Sequence, residues 1–264
     1  MTQKRKTCSH NILQEKIWIY GKHAVLSALE NPNRIIKIVY LLEKEDKLKD
    51  NVKKYINKKN KNILLKIVTR NFIKKKFSTI IKHQGIIAEA VRIKYEDCLN
   101  VINNLERKNN SLGIILDKIT DPNNVGAIYR SAYAFNTDFI ISEKKNAPNE
   151  SNTILNSACG AFDKISTFKT ANLNQAIQTF KNNGWWVIGL DHNSKLKIND
   201  FFKNFSSHRK ILLVLGSEGK GIRRLVKENC DYLVSIETVD QEISINVSNA
   251  TSIFLHEIYN YLSK

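Results

Sequence analysis

Cysteine is scarce and scattered: Cys8, Cys98, Cys159 and Cys230 form no close pair of the kind that holds zinc or closes a redox loop. They read as structural thiols of a reducing compartment, without a disulfide framework. Long apolar runs are missing too, and none approaches the roughly 18 residues needed to span a bilayer. The opening segment MTQKRKTCSHNILQEK lacks the apolar stretch and small-residue cleavage site of an export signal, so the expected location is the cytoplasm. Acidic residues are few, 25 against 42 Lys and Arg, and the net charge of +17 points towards a polyanionic partner.

What is present divides the 264 residues in two. Residues 1–100 carry 23 basic and 9 acidic side chains and residues 101–264 carry 19 and 16, so the front of the chain is the basic part. A bias of the whole coding sequence towards Lys, Asn and Ile is the plainer source of such charge, but it would not spare the second half. Residues 1–16 have few apolar anchors and read as a basic flexible tail. Residues 17–93 read as a small α/β domain whose charge suits phosphate binding. It contains a helix over 21–32, strands at 36–42, 63–69 and 83–93, a charged helix over about 44–57 and a short helix after residue 70. Residues 94–110 are polar and Asn-rich and read as a linker.

From 111 to 264, near-continuous apolar strands alternate with amphipathic helices. That pattern predicts a parallel sheet covered on both faces, an α/β domain with its chemistry in the loops at the carboxyl ends of the strands. Three loops stand out. DKITDPNNVGAIYRSAYAF (117–135) carries Asn124 and Arg130; with a helix starting near Asn124, Arg130 would reach back to the helix N-terminus and meet an anion. In the plainer reading Asp121 or Asn124 is a helix cap and Arg130 a solvated charge. LLVLGSEGKGIRRL (212–225) is a strand running into a Gly-rich turn with Gly216 and Glu218. Its spacing excludes a nucleotide-binding P-loop, and a purely structural turn stays open. VSIETVDQEISINVSNATSIFLHEI (234–258) brings Ser244, Asn246 and Ser248 to the start of the last helix, where Ser and Asn also serve as ordinary caps. No dinucleotide GxGxxG, hydrolase elbow or clustered metal ligands are present, so no metal is expected; His192, His208 and His256 read as surface or core residues.

In order and spacing, NVGAIYRSA, VLGSEGKGIRRL and SINVSNATSIFLHE resemble the three motifs of the SpoU (TrmH) family of RNA ribose 2′-O-methyltransferases. IYGKHAVLSALENP and HQGI resemble that family's small substrate-binding domain, which folds like a ribosomal RNA-binding protein. The likeness spans residues 17–262. It implies S-adenosyl-L-methionine as cofactor, a deep trefoil knot in the rear domain, a homodimer with the active site near the subunit interface, and RNA as partner. The nearest likeness is to enzymes that methylate a guanosine of 23S ribosomal RNA; a transfer RNA substrate, or a non-catalytic RNA-binding or ribosome-assembly role, are the alternatives. Carried over, the resemblance assigns Asn124, Arg130, Glu218, Ser244 and Asn246 to the catalytic cluster and Gly216, Ile236 and Ile245 to cofactor contacts. Where many members have Ile-Pro-Met this chain has Ile236, Glu237 and Thr238, and Ile245 replaces the commoner Leu, changes that bear on cofactor affinity.

Overall fold

The computed structural model describes residues 15–58, 62–77, 83–95, 105, 108, 110–204, 209–240 and 244–263. The expected basic tail lies outside these residues except at its end, and most of the expected linker lies outside them too. Lys16 belongs to the first strand rather than to the tail.

The front unit runs β1 (Lys16–Tyr20), α1 (Lys22–Glu30), β2 (Ile36–Leu42), α2 (Asp46–Lys58), β3 (Leu64–Val68), α3 (Arg70–Lys76) and β4 (Ile86–Val91). Its four-stranded sheet has the order β1-β4-β2-β3, with β4 antiparallel to both neighbours and β3 parallel to β2. Alternation along β2 and β4 separates two faces. Val39, Leu41, Ala88 and Ala90 pack with Val25, Leu29 and Val52 of α1 and α2, whereas Tyr40, Leu42 and Ile87 pack with Ile73 and Phe77 of α3 and its end.

The rear unit contains β5 (Ser111–Asp117), α4 (Pro122–Ala134), β6 (Phe139–Glu143), α5 (Asn152–Ala158), β7 (Ser166–Thr170), α6 (Leu173–Asn182), β8 (Trp186–Leu190), α7 (Ile198–Asn204), β9 (Lys210–Gly216), α8 (Arg224–Glu228), β10 (Tyr232–Val234) and α9 (Val247–Leu262). Six parallel strands form one sheet in the order β10-β8-β9-β5-β6-β7. Every residue of β5 is buried, as a central strand with layers on both sides requires. Two expectations shift. The helix expected to begin near Asn124 begins at Pro122, because Asp121 caps it by accepting from the backbone N–H groups of Asn123 and Asn124. A helix over Ile198–Asn204 and a 3-10 turn over Ala161–Asp163 also form where none was expected.

The two units share one apolar cluster, which runs from Ile17 and Val25 through Phe162 to Phe254 and Ile258. The seam holds a fully buried arginine. Arg34 donates from Nε and Nη2 to the two oxygens of Asp163 at 2.8 and 3.0 Å, and from Nη1 to Glu150 Oε1 at 2.5 Å. Glu150 Oε2 accepts from the Ile93 N–H at 3.0 Å, so the turn before β2, the segment after β4 and the rear unit meet on three charges. Burial raises the Glu150 carboxyl above its ordinary value, with Arg34 opposing. Gly160 permits this approach. It has φ +90°, and a Cβ there would lie 2.7 Å from the His23 carbonyl oxygen and 2.6 Å from Ser27 Oγ.

Candidate active site in the loops of the rear sheet

The loops after β5, β8, β9 and β10 converge at the carboxyl end of the sheet, as parallel strand order dictates. The loop after β9 is closed on itself by a pair of backbone hydrogen bonds, Ser217 N to Gly221 O at 3.1 Å and Gly221 N to Ser217 O at 2.9 Å. Gly216 makes that closure possible, because a Cβ there would sit 2.2 Å from both the carbonyl carbon of Gly221 and the nitrogen of Ile222. Beyond the turn, Arg223 is clamped: its Nε donates to Asp117 Oδ1 and its Nη2 to Glu143 Oε1, both at 2.6 Å, and its N–H donates to Asp117 Oδ2 at 2.8 Å. Burial alone would raise the Glu143 carboxyl; hydrogen bonds from Asn146 and Arg223 outweigh it and hold the group below its usual range.

The loop after β8 is fastened to β10. Ser235 donates its N–H to Leu196 O at 2.9 Å and accepts from Ile198 N at 3.0 Å, while its hydroxyl donates to Ser194 O and accepts from Lys197 Nζ. Burial would raise Asp191, but hydrogen bonds from Lys227 and the Asn193 N–H lower its carboxyl.

Between these loops lies a cavity of about 490 Å³, within the usual range for a small-molecule site. Gly216, Glu218, Ile236, Ser244, Ile245 and Asn246, six of the eight residues singled out from the sequence, line it. A seventh, Asn124, joins them through hydrogen bonds. Asn124 Nδ2 donates to Glu218 Oε1 at 2.7 Å, Asn246 Nδ2 donates to the same oxygen at 2.7 Å, and Asn124 Oδ1 lies 3.1 Å from Asn246 Nδ2. Asn246 is at once a cap and a site residue. Its Oδ1 accepts from the N–H of Ser248 at 2.9 Å and so starts α9, which aims its amide nitrogen at Glu218.

Arg130 stands apart. Six residues beyond Asn124, it is about 9 Å along the α4 axis and roughly 120° around it. Its side chain is exposed and has no ion pair among the described residues. His192, taken from the sequence as a surface or core residue, lines the cavity together with Lys197 and Ser217, which were not singled out, and Thr238, noted from the sequence as a departure that bears on cofactor affinity. The signal that could have found them was position: each follows an apolar strand at the end where ligands sit. Among the described residues, no group of three or more His, Cys, Asp and Glu could hold a metal ion, and no helix is long and apolar enough to cross a membrane.

Comparison with known proteins agrees with this layout. A family profile described as the SpoU rRNA methylase family matches residues 111–256, and one described as RNA 2′-O ribose methyltransferase substrate binding matches residues 18–96. The 23S rRNA (guanosine-2′-O-)-methyltransferase RlmB of Blochmanniella floridana is 37% identical over 243 residues, covering 90% of this chain and 92% of that protein. An uncharacterized tRNA/rRNA methyltransferase of Borreliella burgdorferi is 36% identical over 178 residues, 66% of this chain and 74% of that one. In fold, the chain resembles the SpoU methyltransferase AviRb of Streptomyces viridochromogenes, solved with AdoMet, at a TM-score of 0.74 and 17% identity over 93% of this chain and 89% of that one. With the motif loops gathered around one cavity and the match running through both units, the chain belongs to the SpoU rRNA methylase family.

Proposed function

We propose that the chain is an S-adenosyl-L-methionine-dependent methyltransferase acting on a ribose 2′-hydroxyl of RNA, with a guanosine of 23S ribosomal RNA as its target and the cytoplasm as its place of work. The observation that carries this reading is the Asn124–Glu218–Asn246 cluster joined to a cavity of about 490 Å³. The cavity fits the cofactor: Leu190, Leu215, Ile236 and Ile245 offer apolar walls for an adenine, and the backbone after Gly216 is free to hydrogen-bond it. When bound, S-adenosylmethionine supplies an electrophilic sulfonium methyl.

The chain's own groups then have to align the hydroxyl, accept its proton and stabilise the oxygen as it becomes negative. Two amides fix Oε1 of Glu218, while Oε2 has no hydrogen bond among the described residues and can accept the ribose proton. A guanidinium offers N–H donors and no acceptor, so the role of Arg130 is to hold phosphate and the developing alkoxide rather than to act as base. Ser244 and Asn246 orient the ribose. The exposed position of Arg130 supports a homodimer. It shares the α4 surface with Tyr133, 54% exposed, beside Ile253 and Tyr259 of α9, which are 41% and 44% exposed. Packing of two copies through this face would deliver Arg130 to the neighbouring copy's cluster. The two-sided bonding of Ser235 to residues 194–198 supports a trefoil crossing in which the C-terminal segment threads the loop after β8.

Calorimetric titration with S-adenosylhomocysteine, followed by mapping ribose methylation on ribosomal RNA and on transfer RNA, tests the reading. Micromolar binding and one methylated 23S guanosine are expected; no cofactor binding even with RNA present would overturn it.

A further inference from the structure

On the α3 side of the front unit the aromatic core extends to the surface. On the α3 side of the sheet, Tyr40 and Phe72 stack with ring centroids 5.8 Å apart, and Trp18 lies 6.0 Å from Tyr40. Lys76 crowns these rings: its Nζ is 4.3 Å from the Tyr40 centroid, 5.2 Å from Trp18 and 5.7 Å from Phe72, and donates to the Tyr40 hydroxyl at 2.5 Å. Packing of α3 is already accomplished by Ile73 and Phe77, both buried. Phe72, by contrast, is 40% exposed, and Leu64 on the edge strand β3 is 51% exposed. Lys66 sits opposite Tyr40 in the β2–β3 ladder and so projects on this same side. From residue 64 to 76 the chain has five basic residues and no acidic one. Glu89, facing this surface from β4, is paired with Lys16 at 2.7 Å.

We propose that this face binds single-stranded RNA, with a base stacked on Phe72 and the flanking phosphates held by Lys66, Lys75 and Lys76. The inference deepens the RNA methyltransferase reading and rests on it. The exposed ring of Phe72, beside lysines that have no ion pair among the described residues, is what an unstacked base with its phosphates fits, whereas a duplex hides its base faces. The ammonium of Lys76, with one N–H on Tyr40, keeps two donors for a phosphate. The surface is also joined to the catalytic loops. Tyr20, 6.0 Å from Phe77, has its hydroxyl beside Asn152 at the start of α5, and Ser157 near the end of α5 donates to Asn123, next to Asn124. One helix of about 10 Å separates the two.

The test uses the full chain and fluorescence anisotropy with a labelled 12-nucleotide single-stranded RNA and the corresponding duplex. Phe72→Ala and Phe72→Leu should each weaken single-strand binding about tenfold while S-adenosylhomocysteine affinity is unchanged, the latter reporting an intact fold. Lys66→Gln with Lys75→Gln should flatten the slope of log affinity against log salt by about 1.4. Wild-type affinity in both Phe72 variants, or a duplex bound as tightly as the single strand, would overturn the proposal. Methyl transfer to ribosomal RNA is measured alongside: transfer that persists at the wild-type rate in the Phe72 variants removes the platform and leaves the enzyme reading, whereas a wild-type chain that neither binds nor methylates RNA removes both.

Discussion

Replacing Arg34 by alanine removes the centre of the seam between the two units and leaves Asp163 and Glu150 buried without their counter-charge. Both carboxylates are about 1% exposed and the guanidinium is fully buried, so solvent cannot take over its role. Breaking a buried pair in this way costs about 3–5 kcal/mol. At about 2–4 °C per kcal/mol for a chain of this size, the melting temperature should fall by about 6–20 °C. The sign of the pH dependence follows from linkage. Glu150 is already raised in the wild type by burial, and without Arg34 its folded-state carboxyl moves further above its unfolded value near 4. The folded variant therefore binds more protons than the unfolded chain, and its stability falls as pH rises through that folded value. Scanning calorimetry of both proteins at pH 5 and pH 8 should show the larger deficit at pH 8. Arg34→Met combined with Glu150→Gln and Asp163→Asn should recover most of the loss, because no charge is then left stranded. A deficit below about 1 kcal/mol, or one equal at the two pH values, would refute the argument that burial of these charges matters.

Four further outcomes are expected. Glu218→Gln should lower methyl transfer about 100-fold or more in single-turnover assays while retaining S-adenosylhomocysteine affinity. Arg130→Ala should do the same, and mixing it with Glu218→Gln subunits should restore partial activity if Arg130 serves a neighbouring copy; equal loss of cofactor affinity would remove Arg130 from the site. Gly216→Ala places a Cβ on backbone atoms that cannot move aside, so calorimetry should show cofactor affinity reduced at least tenfold. Burial together with neighbouring Asp231 pushes the Cys230 thiol up to about 12, so peptide mapping after iodoacetamide at pH 8 should find exposed Cys159 alkylated and Cys230 intact.

The rear sheet was legible because its strands are short apolar runs bounded by turn residues, which needs no knowledge of distant contacts. The carboxyl-end loops followed from that order; grouping Asn124, Glu218 and Asn246 came from the family resemblance, because each residue taken alone read equally as a helix cap or a turn residue. Other parts depend on contacts that sequence spacing does not express. Lys16–Tyr20 forms a strand because β4 pairs with all five residues, although its sequence abuts a basic tail. Ile198–Asn204 becomes helical around Ile198 and Phe201, which enter the core beneath it. Arg34 looked like one more basic residue of a basic domain, since the carboxylates that bury it lie 116 and 129 positions away. Likewise the start of α4 was missed by two residues because Asp121, not Asn124, supplies the cap, which leaves Asn124 free to bond Glu218.

The Arg34 seam also makes the chain a caliper. A front unit bolted to the rear sheet by three buried charges cannot swing to follow its substrate, so the span from the Phe72 surface to Glu218 is a fixed length. With RNA held on the proposed front surface, the ribose to be modified lies that far along the strand from the segment gripped there, and a nucleotide can be chosen by measurement.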